Sequence, residues 1–340
     1  MRCLQVYRDV DVDPATIASG DRALLAHARD DAVAILHVYG FRGDVLGLGR
    51  YHVVPTGSGT DVRVTRRLSG GRAMPLGDGF IGVSLALRHR SALVADEALV
   101  LAPAQVLNRA VRGLLGALDR FGMTSHYPGR DVVTVGGRII AAMAFEVAPQ
   151  GETLVEIAVA TGRSFAAVTG FADRADPGGI VPIDAVSLDE ATCIADVCGR
   201  TPDVDAMAQA LADGYAERLG LVCTDAMAPR PAAVADPDWL RAGSFGPELG
   251  GHARRREMLG VVEAYVACAE GRLEAVRLCG DFIAPSGTVA RIEAALRGSP
   301  IARPVLVERV RRAARGPDDF VLGLRSLDVF AEVVAEACHA

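Results

Sequence analysis

The sequence contains no lysine; all 36 of its basic residues are arginine. That absence excludes any step that uses a lysine amine, and arginine is no general substitute, because it spreads its charge over a planar fork instead of a compact ammonium. Long apolar runs are missing too. No window reaches the ~18 uninterrupted apolar residues of a membrane span, so no membrane association is expected. The opening "MRCLQVYRDVDVDP" has no apolar signal core, which points to a cytoplasmic protein. A basic excess is also lacking. The net charge is −6, which argues against broad nucleic-acid binding. The seven cysteines are odd in number and scattered, so reduced thiols are expected rather than a disulfide frame. Cys193 and Cys198 stand five apart with no histidine near, which does not make a zinc site, and no metal-ligating residues are assigned.

What remains is a chain of 340 residues, half of them hydrophobic, enough for roughly two domains. Short strands are expected over Ala32–Gly40 and Asp44–Pro55, and again from Gly79. Leu101–Met123 carries Val106, Ala110, Leu114, Leu115 and Leu118 at helical spacing, with Pro103 near its first turn and Gly122 after its end. Two β-rich runs flank Gly136-Gly137, the pattern of a tight hairpin, and Thr153–Ala160 reads as a further strand. A helix follows, with Asp203 or Asp205 as N-cap and Gly220 as C-cap. From Ala228 to Gly251 the chain is rich in Pro, Gly and Ala and holds its one tryptophan, the composition of a linker. Val261–Phe282 reads as two strands around a turn at Glu270-Gly271, with a short helix after it and an amphipathic helix at the tail. The expected fold class is α+β, with mixed or antiparallel sheets flanked by helices. The expected division is a first domain over 1–227, a linker over 228–251 and a small α+β accessory domain over 252–340.

The stretch "RRLSGGRAMPLGDG", Arg66 to Gly79, joins arginines to a Ser-Gly-Gly turn. Arginine forks take carboxylates and phosphates, and glycines free backbone N–H groups for an anion. Arg66 and Arg67 are candidate ligand contacts on that ground. Arg72 reads either as a further anion ligand or as a surface residue. Asp131 reads either as a site residue or as a turn cap. His52 and His126 lie near glycine loops and are assigned structural roles.

Taken in order, several segments resemble the lipoate–protein ligase A family, of the biotin/lipoate ligase and octanoyltransferase fold. They are Arg66-Arg67-Leu68-Ser69-Gly70-Gly71, Gly129–Val133, the hairpin "VGGRIIAAMA", Ile180–Glu190, Pro237-Asp238-Trp239 with Gly243-Ser244, and Gly280-Asp281-Phe282 followed by Ile292-Glu293. The resemblance implies ATP- and Mg-dependent activation of lipoate or octanoate as an acyl adenylate, then transfer to a lysine of a lipoyl-carrier domain, by a monomer. It implies acyl and nucleotide contacts at Arg67, Ser69, Gly70, Gly71, Arg72, Asp131 and Ile139.

The sequence also departs from that pattern. The family's hairpin lysine aligns with Ile139, and its neighbours are Ala141, Ala142 and Met143. Arg138 is the candidate surrogate, although alternation along a strand points it away from Ile139 unless a bulge re-aims it. Leu76, Gly77 and Phe80 replace the His, Asp and Asn that hold nucleotide and metal in the family, and Ile183 stands where a transferase cysteine would. Two expectations therefore remain open. One is an ATP-dependent ligase that uses arginines. The other is a degenerate relative that binds an acyl ligand or a carrier partner without adenylation.

Overall fold

The computed structural model describes residues 3–30, 33–53, 63–94, 101–168, 191–225, 234–241, 247–316 and 318–340. The Ile180–Glu190 and Gly243-Ser244 segments lie outside them, and so does Ile183.

β1 (Cys3–Val12) and β2 (Ala34–Phe41) run parallel with α1 (Ile17–Asp30) crossing between them. β6 (Phe80–Leu87), β10 (Thr153–Ala160), β9 (Arg138–Val147), β8 (Val132–Val135) and β7 (Ser125–His126) extend the sheet antiparallel, and β11 (Val222–Asp225) joins the other edge. The result is a mixed eight-stranded sheet in the order β11-β1-β2-β6-β10-β9-β8-β7. Both faces are covered, because side chains alternate. Leu36 and Val38 of β2 join a core with α2 (Val106–Arg120) and α4 (Val204–Leu219), while Ile35 packs with α1 residues Leu24 and Ala28. α3 (Ile194–Cys198) is a short helix ahead of α4.

α4 begins and ends on the two predicted caps. Asp203 accepts the N–H of Ala206, and Gly220 takes the left-handed conformation. α2 and α4 cross closely at two glycines. A Cβ on Gly214 would stand 2.3 Å from the Gly113 carbonyl oxygen. The hydroxyl of the buried Tyr215 donates to the Ala110 carbonyl at the same crossing, at 2.9 Å. Gly214→Ala is therefore expected to destabilise by ~1–3 kcal/mol through overpacking, despite alanine's ~1 kcal/mol helix preference; the urea midpoint reads it.

The C-terminal part is a three-stranded antiparallel sheet, β12 (Gly251–Arg256), β13 (Val261–Ala269) and β14 (Arg272–Gly280), turned at Glu270 and Gly271 as expected. The short helix α5 (Pro237–Arg241) precedes this part, and α6 (Ser286–Leu296), α7 (Arg303–Ala313) and α8 (Asp328–Ala337) close its own core around Phe282 and Phe330. It packs against the first part. Glu146 of β9 accepts the N–H of Ser286 at the head of α6, at 2.9 Å, with its other oxygen buried and unpartnered. Burial raises this carboxyl from 4.5 to about 7. The folded state then holds the proton more tightly than the unfolded chain, so this group's contribution falls as pH rises from about 4.5 to 7. Glu146→Gln is expected to flatten that part of the stability–pH curve. An unchanged slope would contradict it.

Candidate functional site

The ligand-loop motif connects β4 (Val64–Arg66) to β5 (Met74–Leu76), which flank β3 (Val45–Leu48) in a small sheet of order β4-β3-β5. Two consecutive arginines on such a path point to opposite sides. Arg67 faces Glu156, Asp131 and Tyr39, whereas Arg66 faces Arg277 and Arg50. The two guanidiniums thus have different charged neighbours, although both residues border one small cavity.

Arg67 is 4 % exposed. Its Nη2 donates to the carbonyls of Gly70 (3.1 Å) and Arg72 (2.8 Å), which folds the loop around the guanidinium, and its Nε has no partner. Desolvation is the main cause that lowers its pKa. The Ser69 N–H donates to Glu156 at 2.7 Å, and the Ser69 hydroxyl is buried without a partner. Gly71, at φ +83°, donates its N–H to the Phe282 carbonyl at 2.8 Å. Gly70 is pressed against the same carbonyl, which a Cβ would approach to 2.3 Å. Two of the N–H groups expected to cradle a phosphate are thus taken up inside the fold. Beside them His52 accepts the Gly49 N–H at Nδ1 and bonds Asp281 through Nε2 at 2.8 Å. That geometry fits the structural role given to His52. His126 lies on the edge strand β7.

Arg72 is not a surface residue. It is 3 % exposed and grips Asp131 through two bonds of 2.7 Å. Asp131 is 5 % exposed and stands just before β8, so the pair ties the ligand loop to the hairpin. The turn-cap reading of Asp131 is replaced by this pairing. Arg72 Nη1 has no partner.

The hairpin turns at Gly136 and Gly137, both at positive φ, as expected. A bulge does occur: Thr134 faces Ile139 and Val133 faces Ala141, which leaves Ile140 extra. It lies beyond Arg138 and does not re-aim it. Arg138 is exposed, and the structure does not bring it to the site. Ile139 is 1 % exposed in a cluster with Val132, Ala142, Ala158, Phe165 and Cys193. Leu76 and Phe80 join that cluster. Cys193 is buried there, with its thiol pushed up by desolvation, the opposite of an activated nucleophile.

Between Arg67 and this cluster lies a cavity of about 20 Å³, lined among others by Tyr39, Phe41, Met74, Leu76 and Glu156. It has room for a single water. Glu156 is the site residue that sequence reasoning missed. Its signal was a lone carboxylate in the apolar run "TLVEIAVA", where burial demands a partner. Among the described residues no three His, Cys, Asp or Glu side chains cluster to hold a metal. The donor set that replaces the family's polar residues, Leu76, Gly77 and Phe80, does not fit Mg²⁺, which takes oxygen ligands.

No protein-family model matches this sequence, and no curated protein matches it in sequence. The fold does have solved counterparts. LipL1 from P. falciparum, in complex with lipoate, superposes at a TM-score of 0.66 and 12 % identity, covering 98 % of this chain and 99 % of its own. Lipoate-protein ligase A bound with ATP gives 0.50 at 12 % identity, over 72 % of this chain and 96 % of its own. Protein Ta0514 from T. acidophilum, with bound lipoic acid, gives 0.50 at 13 %, over 71 % and 94 %. The chain has the fold of the lipoate–protein ligases.

Proposed function

We propose that this chain binds a medium-chain carboxylic acid of the lipoate or octanoate type on the lipoate-ligase fold without adenylating it. Arg67 takes the carboxylate, with the Ser69 hydroxyl beside it, and the acyl chain lies among Tyr39, Phe41, Met74, Leu76 and Ala158. Buried donors without partners support a ligand of that charge, because leaving Arg67 Nε and Ser69 Oγ unmet costs free energy. The acyl chain needs far more than the 20 Å³ now open, so Met74 and Leu76 must swing aside on binding.

One observation carries the non-adenylating half. Ile139, which the resemblance aligns with the family's hairpin lysine, lies inside an apolar cluster, and the Arg72 guanidinium is locked on Asp131. Charge developing on a phosphate there would meet only guanidiniums already held by Asp131 or by loop carbonyls. A second reading, an ATP-dependent ligase that donates to a lipoyl-carrier domain, rests on the unpartnered Nη1 of Arg72 between loop and hairpin. Titration calorimetry separates the two. Octanoate and lipoate are expected to bind and octanol, which lacks the carboxylate, to fail. ATP-dependent pyrophosphate release on adding either acid would select the second reading.

A further inference from the structure

Arg66 borders the small cavity beside Arg67, but its guanidinium bonds the Gly49 and Arg50 carbonyls and it also lines a second, larger cavity. This second cavity measures about 230 Å³ and lies between Arg50-Tyr51, the end of β4, the helical turn Pro237–Arg241, β14 and the start of α6. Three guanidiniums line it: Arg50, Arg66 and Arg277. Arg66 is 2 % exposed. Its Nη1 donates to the carbonyls of Gly49 and Arg50, while Nε and Nη2 are buried with no partner. Arg277 Nε is likewise buried and unpartnered.

Trp239, itself part of the lining, helps to hold Arg66 and Arg50 in place. Trp239 donates its indole N–H to the Arg66 carbonyl at 3.0 Å, and Arg50 lies over its ring at 4.8 Å. Arg50 also donates to the Leu68 carbonyl at 3.3 Å. One carboxylate lines the space. Glu293 stands 3.9 Å from Arg277 and accepts the Leu278 N–H at 2.8 Å. Among the lining residues three cations face one carboxylate, and Glu146, behind Ser286, acts on Arg50 as well, which leaves a net positive charge in a half-closed space. Burial first, then repulsion from Arg277 and Arg50, lowers the Arg66 pKa to about 10. Unmet buried donors and mutual repulsion of this kind are relieved when an anion enters.

We propose that this cavity is an anion site for a small phosphate-bearing molecule, separate from the acyl site. Guanidinium forks match phosphate oxygens two at a time, and forks from three elements suit a tetrahedral dianion better than a planar carboxylate, which one fork satisfies. The volume admits a phosphate with a short organic substituent and excludes a nucleotide, since pockets for drug-sized ligands span roughly 300–1,000 Å³. Arg66 and Arg67 are neighbours in sequence, so the two sites share one backbone segment.

Titration calorimetry at constant ionic strength, with chloride as the balancing anion, tests the site. The probes are inorganic phosphate, methyl phosphate and butyrate. Saturable binding of one or both phosphates is expected, with butyrate at least tenfold weaker; tighter methyl phosphate identifies a monoester as the ligand class, tighter inorganic phosphate the free ion. Arg277→Gln, at a half-buried position, is expected to weaken phosphate at least tenfold and leave octanoate binding unchanged. Ala290→Glu places a carboxylate at the exposed lining of the cavity; it is expected to abolish phosphate binding and to raise the melting temperature. Absence of saturable phosphate binding, equal binding of butyrate, or phosphate binding that survives both substitutions would overturn the proposal. Loss of octanoate binding with phosphate binding intact would strike only the acyl-site reading.

Discussion

Asp131→Ala is expected to lower the stability of the folded chain by ~3–5 kcal/mol, the cost of breaking a buried ion pair by removing one partner. The effect is large because Arg72 would remain buried, with both of its 2.7 Å bonds lost and a third nitrogen already unmet. Removing both charges at once behaves differently. Arg72→Met with Asp131→Leu leaves no orphaned charge, and apolar replacement of a buried pair is often neutral or stabilising. Denaturant melts of the single and double variants give the comparison. A double variant as unstable as the single one would show that the loop depends on the pair for its shape, beyond charge compensation. A single variant that melts like the wild type would contradict the buried pairing.

Ile139→Lys is expected to be at least as costly at neutral pH. The side chain would enter the cluster of Val132, Ala142, Ala158, Phe165 and Cys193, which offers an ammonium no partner. Desolvation would pull the lysine pKa down by up to ~3–5 units. The sign then runs opposite to that of Glu146. A depressed folded pKa means that the native state releases its proton first, so stability of this variant rises with pH from that lowered value to ~10.4. Melts from pH 6 to 10 should show the wild type flat or falling and the variant rising. On the proposed reading the variant is also expected to gain no pyrophosphate release, because Leu76 and Phe80, in the same apolar cluster, offer no polar contact to a nucleotide. Robust adenylation by Ile139→Lys would show that one missing charge was the whole lesion.

The sequence made the periodic and punctuated elements legible. The Gly136-Gly137 and Glu270-Gly271 turns, the Asp203 and Gly220 caps and the stripe of α2 all follow from local rules, and the structure has them. The elements that escaped lack such marks. α1 begins after a proline turn and mixes Ser19, Gly20, Asp21 and Arg22 into its first turns. α7 is mostly exposed and carries four arginines. Within the site, strand alternation put Arg138 and Ile139 on opposite faces, and the exposure of Arg138 comes from its place at the hairpin end of β9. The partner of Arg72 did not, because it lies 59 residues away, beyond β5, β6, α2 and β7. The divergence of Arg66 from Arg67 was legible in principle from the same alternation, yet the motif reads them as a unit. The contact of Gly71 with Phe282 depends on how the C-terminal part docks, and no local pattern encodes it.

The central claim is that the fold kept a carboxylate site and lost the charge that adenylation needs. ATP–pyrophosphate exchange, with octanoate and lipoate at concentrations that saturate binding in the calorimeter, tests it most directly. The account predicts saturable acid binding with exchange no higher than in the absence of acid. Acid-dependent exchange by the pure wild-type protein would contradict it.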